Sequence, residues 1–111
     1  MPDYVSNPTD GATKTRRGVA TRPREDLEPP PLYKVLLHND HYTTMQFVVD
    51  VLEGVFSKPH DAAVRIMLEV HHGGIGVAGV YPAEVAETKI LTVHAMAQEH
   101  GYPLKCSMEP E

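Results

Sequence analysis

The sequence predicts an α+β domain: a small three-stranded antiparallel sheet covered on one face by three helices, in the order β-α-α-β-α-β. Apolar residues recur at helical spacing in three stretches between residues 45 and 100. Short runs at 33–38, 75–80 and 103–109 have the content or alternation of strands. Proline or glycine punctuates most of the junctions between them. Three strands this short need cover to be stable, and three amphipathic helices are available to provide it.

The first strand is YKVLLH (33–38), β-branched and aliphatic until it meets a polar cluster. Thr43 and Gln46 are spaced as a capping box, which places a helix start at about Thr43–Met45. Met45, Val48, Val49, Leu52, Val55 and Phe56 then mark its buried face. Ser57-Lys58-Pro59 ends that helix and opens another, since proline is tolerated in a first helical turn. Ala63, Ile66, Met67 and Val70 form the apolar face of the second helix, and Gly73-Gly74 stops it. IGVAGV (75–80) follows as a strand. Pro82 opens a third helix with Ala86, Ile90, Val93 and Ala97 on one stripe and Gly101 as its terminator. In PLKCSME (103–109), Leu104, Cys106 and Met108 alternate with more polar residues, as in a half-exposed strand.

The chain of 111 residues divides into two parts. Residues 1–31 hold six of the ten prolines, with five basic and five acidic residues and almost no apolar periodicity. Such a segment buries too little apolar surface to offset its ordering entropy, so it is expected to be a disordered arm, with Pro29-Pro30-Pro31 as a stiff hinge. Residues 32–111 form the domain and carry the whole net charge of −5, with five Lys and Arg against ten Asp and Glu. A surface that acidic repels phosphate backbones, which argues against a nucleic-acid partner. A single cysteine, Cys106, rules out an internal disulfide and fits a reducing compartment. No apolar stretch is long enough to span a bilayer, and the Arg16-Arg17 pair is followed by GVATRPRED rather than a hydrophobic core. A soluble cytoplasmic protein is the expectation.

The chemistry concentrates in HNDHYTTM (38–45), where two histidines, an amide and a carboxylate occupy four consecutive positions. A metal site is disfavoured: the helical i, i+4 histidine pair is absent, and His71 and His72, as helical neighbours, diverge too far to share an ion easily. Asp40 and His41 could act as an acid–base pair, with His71 as a third group, but no serine or cysteine stands in a nucleophile context. Asn39-Asp40 is also an ordinary turn and helix-entry signal, because Asx side chains bond nearby backbone N–H groups. On local chemistry alone these readings stay open.

VLLHNDHYTTMQFVVDVL, IMLEVHHGGIGVAGVYPAEVAETKILTV and HGYPLKCSME together resemble the ClpS family of adaptor proteins, over roughly residues 32–109 and in the element order inferred above. The AEVAETK segment is the most specific of the matches. The resemblance implies an adaptor that makes no covalent change itself. It would bind substrates through a bulky apolar amino-terminal residue (Leu, Phe, Tyr or Trp) and its free α-amino group, the bacterial N-end rule. It would deliver them to the ClpA ATPase of the ClpAP protease. By this resemblance Asn39, Asp40, His41 and His71 meet the α-amino group. Leu37, Thr43, Met45, Val48, Met67, Val70 and Leu104 line the side-chain pocket, with Met45 as a gate against β-branched residues. Glu84 and Lys89 face the amino-terminal domain of ClpA, and the arm serves in hand-over. The protein is expected to be a monomer without metal or cofactor.

Two positions depart from the family's usual Asn-Asp-Asp-Tyr-Thr-Pro-Met. His41 stands where a second aspartate commonly accepts a bond from the ammonium. A neutral imidazole still accepts, whereas a protonated one does not and repels the cation. Weaker or narrower recognition is therefore expected, with affinity falling as pH drops. Thr44 replaces the proline, which would stiffen the helix start, and is expected to loosen the gate slightly. The competing readings are a related protein that keeps the fold but has narrowed or lost this binding, and a histidine-based metalloprotein or small hydrolase using His38, Asp40, His41 and His71.

Overall fold

In the computed structural model, residues 28–111 are described; the expected disordered arm lies outside them except for its last four positions. The elements run β1 (Leu32–His38), α1 (Met45–Gly54), α2 (His60–Gly73), β2 (Ile75–Pro82), α3 (Ala83–His100) and β3 (Lys105–Pro110). Both partners of β1 are antiparallel to it and the sheet order is β2-β1-β3. The central position of β1 explains why Val35, Leu36 and Leu37 are buried in succession. Val35 and Leu37 point into the main core, while Leu36 lies outside that cluster and pairs with Val77 and Ser107. The helices pack on the inner face; Leu32, Ile75, Val77 and Val80 remain exposed.

The helices begin and end for local reasons, and these differ in detail from the expected ones. The cap of α1 is Thr44, whose hydroxyl accepts from the Phe47 N–H at 3.1 Å, a contact worth about 1 kcal/mol. The Thr43–Gln46 capping box does not form: Thr43 turns toward Asp40, and Gln46 Nε2 donates to Asp50 instead. Phe47 and Val51 join Val48, Val49 and Leu52 in burial, whereas Met45 is exposed. The buried arc is wider than one stripe because the Phe47 ring packs against Tyr102 and His100, with centroids 4.9 and 5.0 Å away. Pro59 and Pro82 serve as N-caps just outside α2 and α3 rather than within their first turns.

Between α1 and α2, Ser57 takes a left-handed backbone (φ 55°). This corner is fastened from α3: the Lys89 ammonium donates to the Val55 carbonyl at 2.8 Å and lies over the Phe56 and Tyr81 rings. The expected stripe of α3 is buried at Ala86, Val93 and Ala97, with Ile90 half-buried. Leu104 is buried but precedes β3, which starts one residue later than its alternation suggested. A backbone bond from Cys106 N–H to His94 Nε2, 3.1 Å, ties β3 to α3.

Burial pushes the Cys106 thiol up to about 12. Its thiolate is therefore scarce in the folded protein at any ordinary pH. Cys106 is expected to resist iodoacetamide at pH 8 and to react only on addition of unfolding concentrations of denaturant. Rapid labelling of the native protein, followed by mass spectrometry, would contradict the packing described here.

Candidate functional site

The polar cluster occupies the crossing from β1 to α1, and Asp40 organises it. One carboxylate oxygen accepts from the Tyr42 and Thr43 N–H groups, both at 2.7 Å, and the other accepts from the Thr43 hydroxyl at 2.7 Å. This is an Asx-type turn in which one side chain satisfies the amides leading into the helix. Partial burial raises the Asp40 carboxyl, but the bonds from Thr43 and Tyr42, aided by the nearby His41 charge, outweigh it and hold the group below the usual carboxylate range. Asp40 is thus an anion at neutral pH whose oxygens are already engaged.

Asn39 is held differently. Its backbone N–H donates to the Gly74 carbonyl at 2.9 Å, which ties the end of β1 to the end of α2. Gly74 caps α2 at φ 92°, a left-handed conformation that side chains disfavour, and returns its own N–H to Val70. His71 lies three residues before that cap, so the same helix terminus that receives Asn39 also presents His71. The two side chains are exposed, while the backbone beneath them is fixed. His41 is exposed as well. A pair of acceptors from separate elements, beside an anionic turn and facing solvent, suits a small cation bearing N–H donors.

The apolar residues expected to form a pocket divide into two groups. Leu37, Val48, Val70 and Leu104 are buried in the common core, with Met67 half-buried against it. They come from β1, α1, α2 and the approach to β3, and only the assembled fold brings them together. Thr43 is half-buried, and Met45 stands at the surface, 48% exposed. An exposed methionine at the start of a helix is free to change rotamer, which suits a gate better than a core residue. Thr44, at the position of the family's usual proline, caps the helix start through its hydroxyl.

The third group is spread along α3. Glu84 is exposed and, with Pro30, Pro31, Pro82, Ala83 and Val85, lines an apolar cleft of about 370 Å³. Lys89 is half-buried and bonded to Val55, so its cationic head already has an internal partner. Among the described residues no group of three or more His, Cys, Asp or Glu is placed to hold a metal ion. His38 takes no part with His41 or His71; its Nε2 meets the Ser107 hydroxyl at 2.7 Å, and burial together with Lys105 lowers its pKa. No helix among these residues is long and apolar enough to cross a membrane.

Sequence reasoning missed two contributors. The Gly74 carbonyl that receives Asn39 belongs to a residue read only as a helix stop, and nothing local signals a backbone bond across 35 positions. The cleft joining Pro30 and Pro31 to Pro82 is equally long-range, with no sequence signature beyond prolines at both places.

Comparison with known proteins places the chain. Residues 28–107 match the family model described as "ATP-dependent Clp protease adaptor protein ClpS". The chain is 67% identical over 93 residues to the ATP-dependent Clp protease adapter protein ClpS of Desulfatibacillum aliphaticivorans, covering 84% of this chain and 89% of the relative. It is 64% identical to the Myxococcus xanthus protein of the same name over 89 residues, covering 80% and 83%. The structure of Agrobacterium tumefaciens ClpS2 bound to L-phenylalaninamide superposes with a TM-score of 0.72 at 41% identity, over 75% of this chain and all of that one.

Proposed function

The chain belongs to the ClpS family of ATP-dependent Clp protease adaptors, and we propose that it captures proteins by a bulky apolar amino-terminal residue and its free α-amino group and delivers them to the ClpA ATPase of ClpAP. The observation that carries this reading is the junction at Gly74. It ties the Asn39 backbone to the cap of α2, the helix that carries Met67, Val70 and His71, while Leu37, Val48 and Leu104 pack in the same core. L-Phenylalaninamide, which occupies the Agrobacterium relative, has a free α-amine, a benzyl side chain and a capped carboxyl, so it is a minimal amino-terminal Phe. Asn39, His41 and His71 are the acceptors for the amine in this proposal, and Asp40 supplies the counter-charge. Leu37, Thr43, Met45, Val48, Met67, Val70 and Leu104 receive the side chain.

The energetics require both halves. Burying a Leu or Phe side chain is worth roughly 1.5–3 kcal/mol. Each charge-assisted hydrogen bond to the ammonium adds about 1.5–3 kcal/mol. Two or three such bonds with the side chain approach the ~8 kcal/mol of a micromolar complex before association costs. Neither half suffices alone. For the partner surface, Glu84 beside its cleft is the freer contact, and Lys89 contributes while tied to Val55. We take residues 32–111 as the adaptor domain and 1–31 as its hand-over arm, acting as a cytoplasmic monomer that catalyses no reaction.

Binding of fluorescent peptides beginning with Phe, Leu, Ile and N-acetyl-Phe tests the proposal. Free Phe and Leu are expected to bind, Ile to bind at least tenfold more weakly, and acetylation to abolish binding. Failure of every peptide, with ATPase-domain binding intact, would instead identify a family member that occupies the ATPase without carrying substrate.

A further inference from the structure

Two glycines lie on the inner face of β2, and they are not equivalent. Gly76 pairs with Leu37 across the ladder and is buried beneath α2. A Cβ built there would lie 2.7 Å from Val70 Cγ2, 3.2 Å from the Ile66 carbonyl oxygen and 3.3 Å from Ile66 Cγ2. Val70 is 2% exposed and β-branched, so it has no free rotamer into which to retreat. The Ile66 oxygen is helix backbone, which moves only if the helix moves. The closeness of α2 to the sheet at this end is therefore set by the missing side chain of Gly76. Close packing leaves no slack to absorb an added methyl elsewhere.

Resting on the binding reading above, we infer that Gly76 is a specificity-determining residue, which fixes the position of the α2 wall and so the size of amino-terminal side chain the pocket accepts. The same end of α2 carries Met67, Val70 and His71, and its cap at Gly74 receives the Asn39 N–H. One displacement thus alters the pocket wall and the amine site together. Gly79 provides the internal comparison. The three atoms nearest to a Cβ there all belong to the phenol of Tyr81, a half-buried side chain on the same strand, rather than to α2.

The test uses the full chain with Gly76→Ala, Gly79→Ala and the wild type, titrated with peptides beginning with Leu, Phe and Trp. Backbone amide NMR spectra of the free proteins are recorded alongside. In Gly76→Ala the wall retreats, so the Trp-to-Leu affinity ratio is expected to shift at least threefold toward Trp. The amide signals of Met67, His71 and Asn39 should move, and Gly79→Ala should leave the ratio as it was. An unchanged ratio in folded Gly76→Ala, or an equal shift in Gly79→Ala, overturns the inference. If Gly76→Ala does not fold, Val70→Ala/Gly76→Ala, which lacks the closest clash, is compared with Val70→Ala; the ratio must still shift toward Trp, and a constant ratio overturns the inference. Failure of the wild type to bind any peptide would refute the binding reading and this specificity role with it. Movement of the three amide signals would still report the spacing.

Discussion

Replacing Asn39 or His71 by alanine is expected to weaken binding of a peptide with a free amino-terminal Phe by about 10- to 100-fold, the worth of one charge-assisted hydrogen bond. Both side chains are exposed, and the bond that fixes Asn39 uses its backbone N–H, which alanine retains. Thermal stability should therefore change little while affinity falls, and fluorescence anisotropy beside a melting curve separates the two. The double variant should lose less than the product of the single losses, because the two acceptors share one ammonium. Undiminished affinity in Asn39→Ala would show that the amine is held elsewhere. A fall in affinity matched by a fall in melting temperature would show a structural role instead.

Replacing His41 by aspartate is expected to tighten binding about tenfold, by roughly 1–2 kcal/mol, as a screened surface carboxylate replaces an imidazole near the substrate cation. Wild-type affinity should fall on acidification, because an imidazole that takes up a proton loses its acceptor and repels the ammonium. In His41→Asp the fall should be shallower, leaving only the contribution of His71. The two nearby groups with shifted values do not confuse the measurement. Asp40 has its carboxyl held down by Thr43 and Tyr42, so the stability it gives the turn is fully present above the ordinary carboxylate range. That contribution is lost only as pH falls through the lowered value, well below 6. His38 is lowered by burial and Lys105, so it keeps its neutral form further into acid than an ordinary histidine. Constant wild-type affinity on acidification would remove both His41 and His71 as acceptors of the amine.

Much of this was legible in the sequence because it depends on neighbours along the chain. Helical spacing in 45–56, 60–73 and 83–100 and the alternation at 104–108 report faces that must be buried, and glycine or proline reports where an element cannot continue. Element order and class followed. The capping residue did not: Thr43 and Thr44 both satisfy the local pattern, and only the demand of Asp40 for the Thr43 hydroxyl assigns the cap to Thr44. Met45 fell on the apolar stripe of its helix, yet the structure leaves it at the surface because the packing of Phe47 on Tyr102 rotates the buried arc toward the end of α3. Lys89 was expected to face the ATPase, and nothing in its neighbours along the chain signals that its ammonium reaches the Val55 carbonyl across 34 positions.

The sequence by itself determined the fold class, the family and the identity of the polar groups around residue 40, since each is written in contiguous residues or in their short-range spacing. Only the tertiary structure decided that the Asn39 N–H bonds the cap of the helix that carries His71 and that Gly76 sits beneath Val70 and Ile66 of α2. It alone showed the Asp40 oxygens accepting from Tyr42 and Thr43 in its own loop. Those outcomes turn on contacts between residues far apart in the chain. Their distances are set by close packing of side chains from several elements at once, a property that no local pattern encodes.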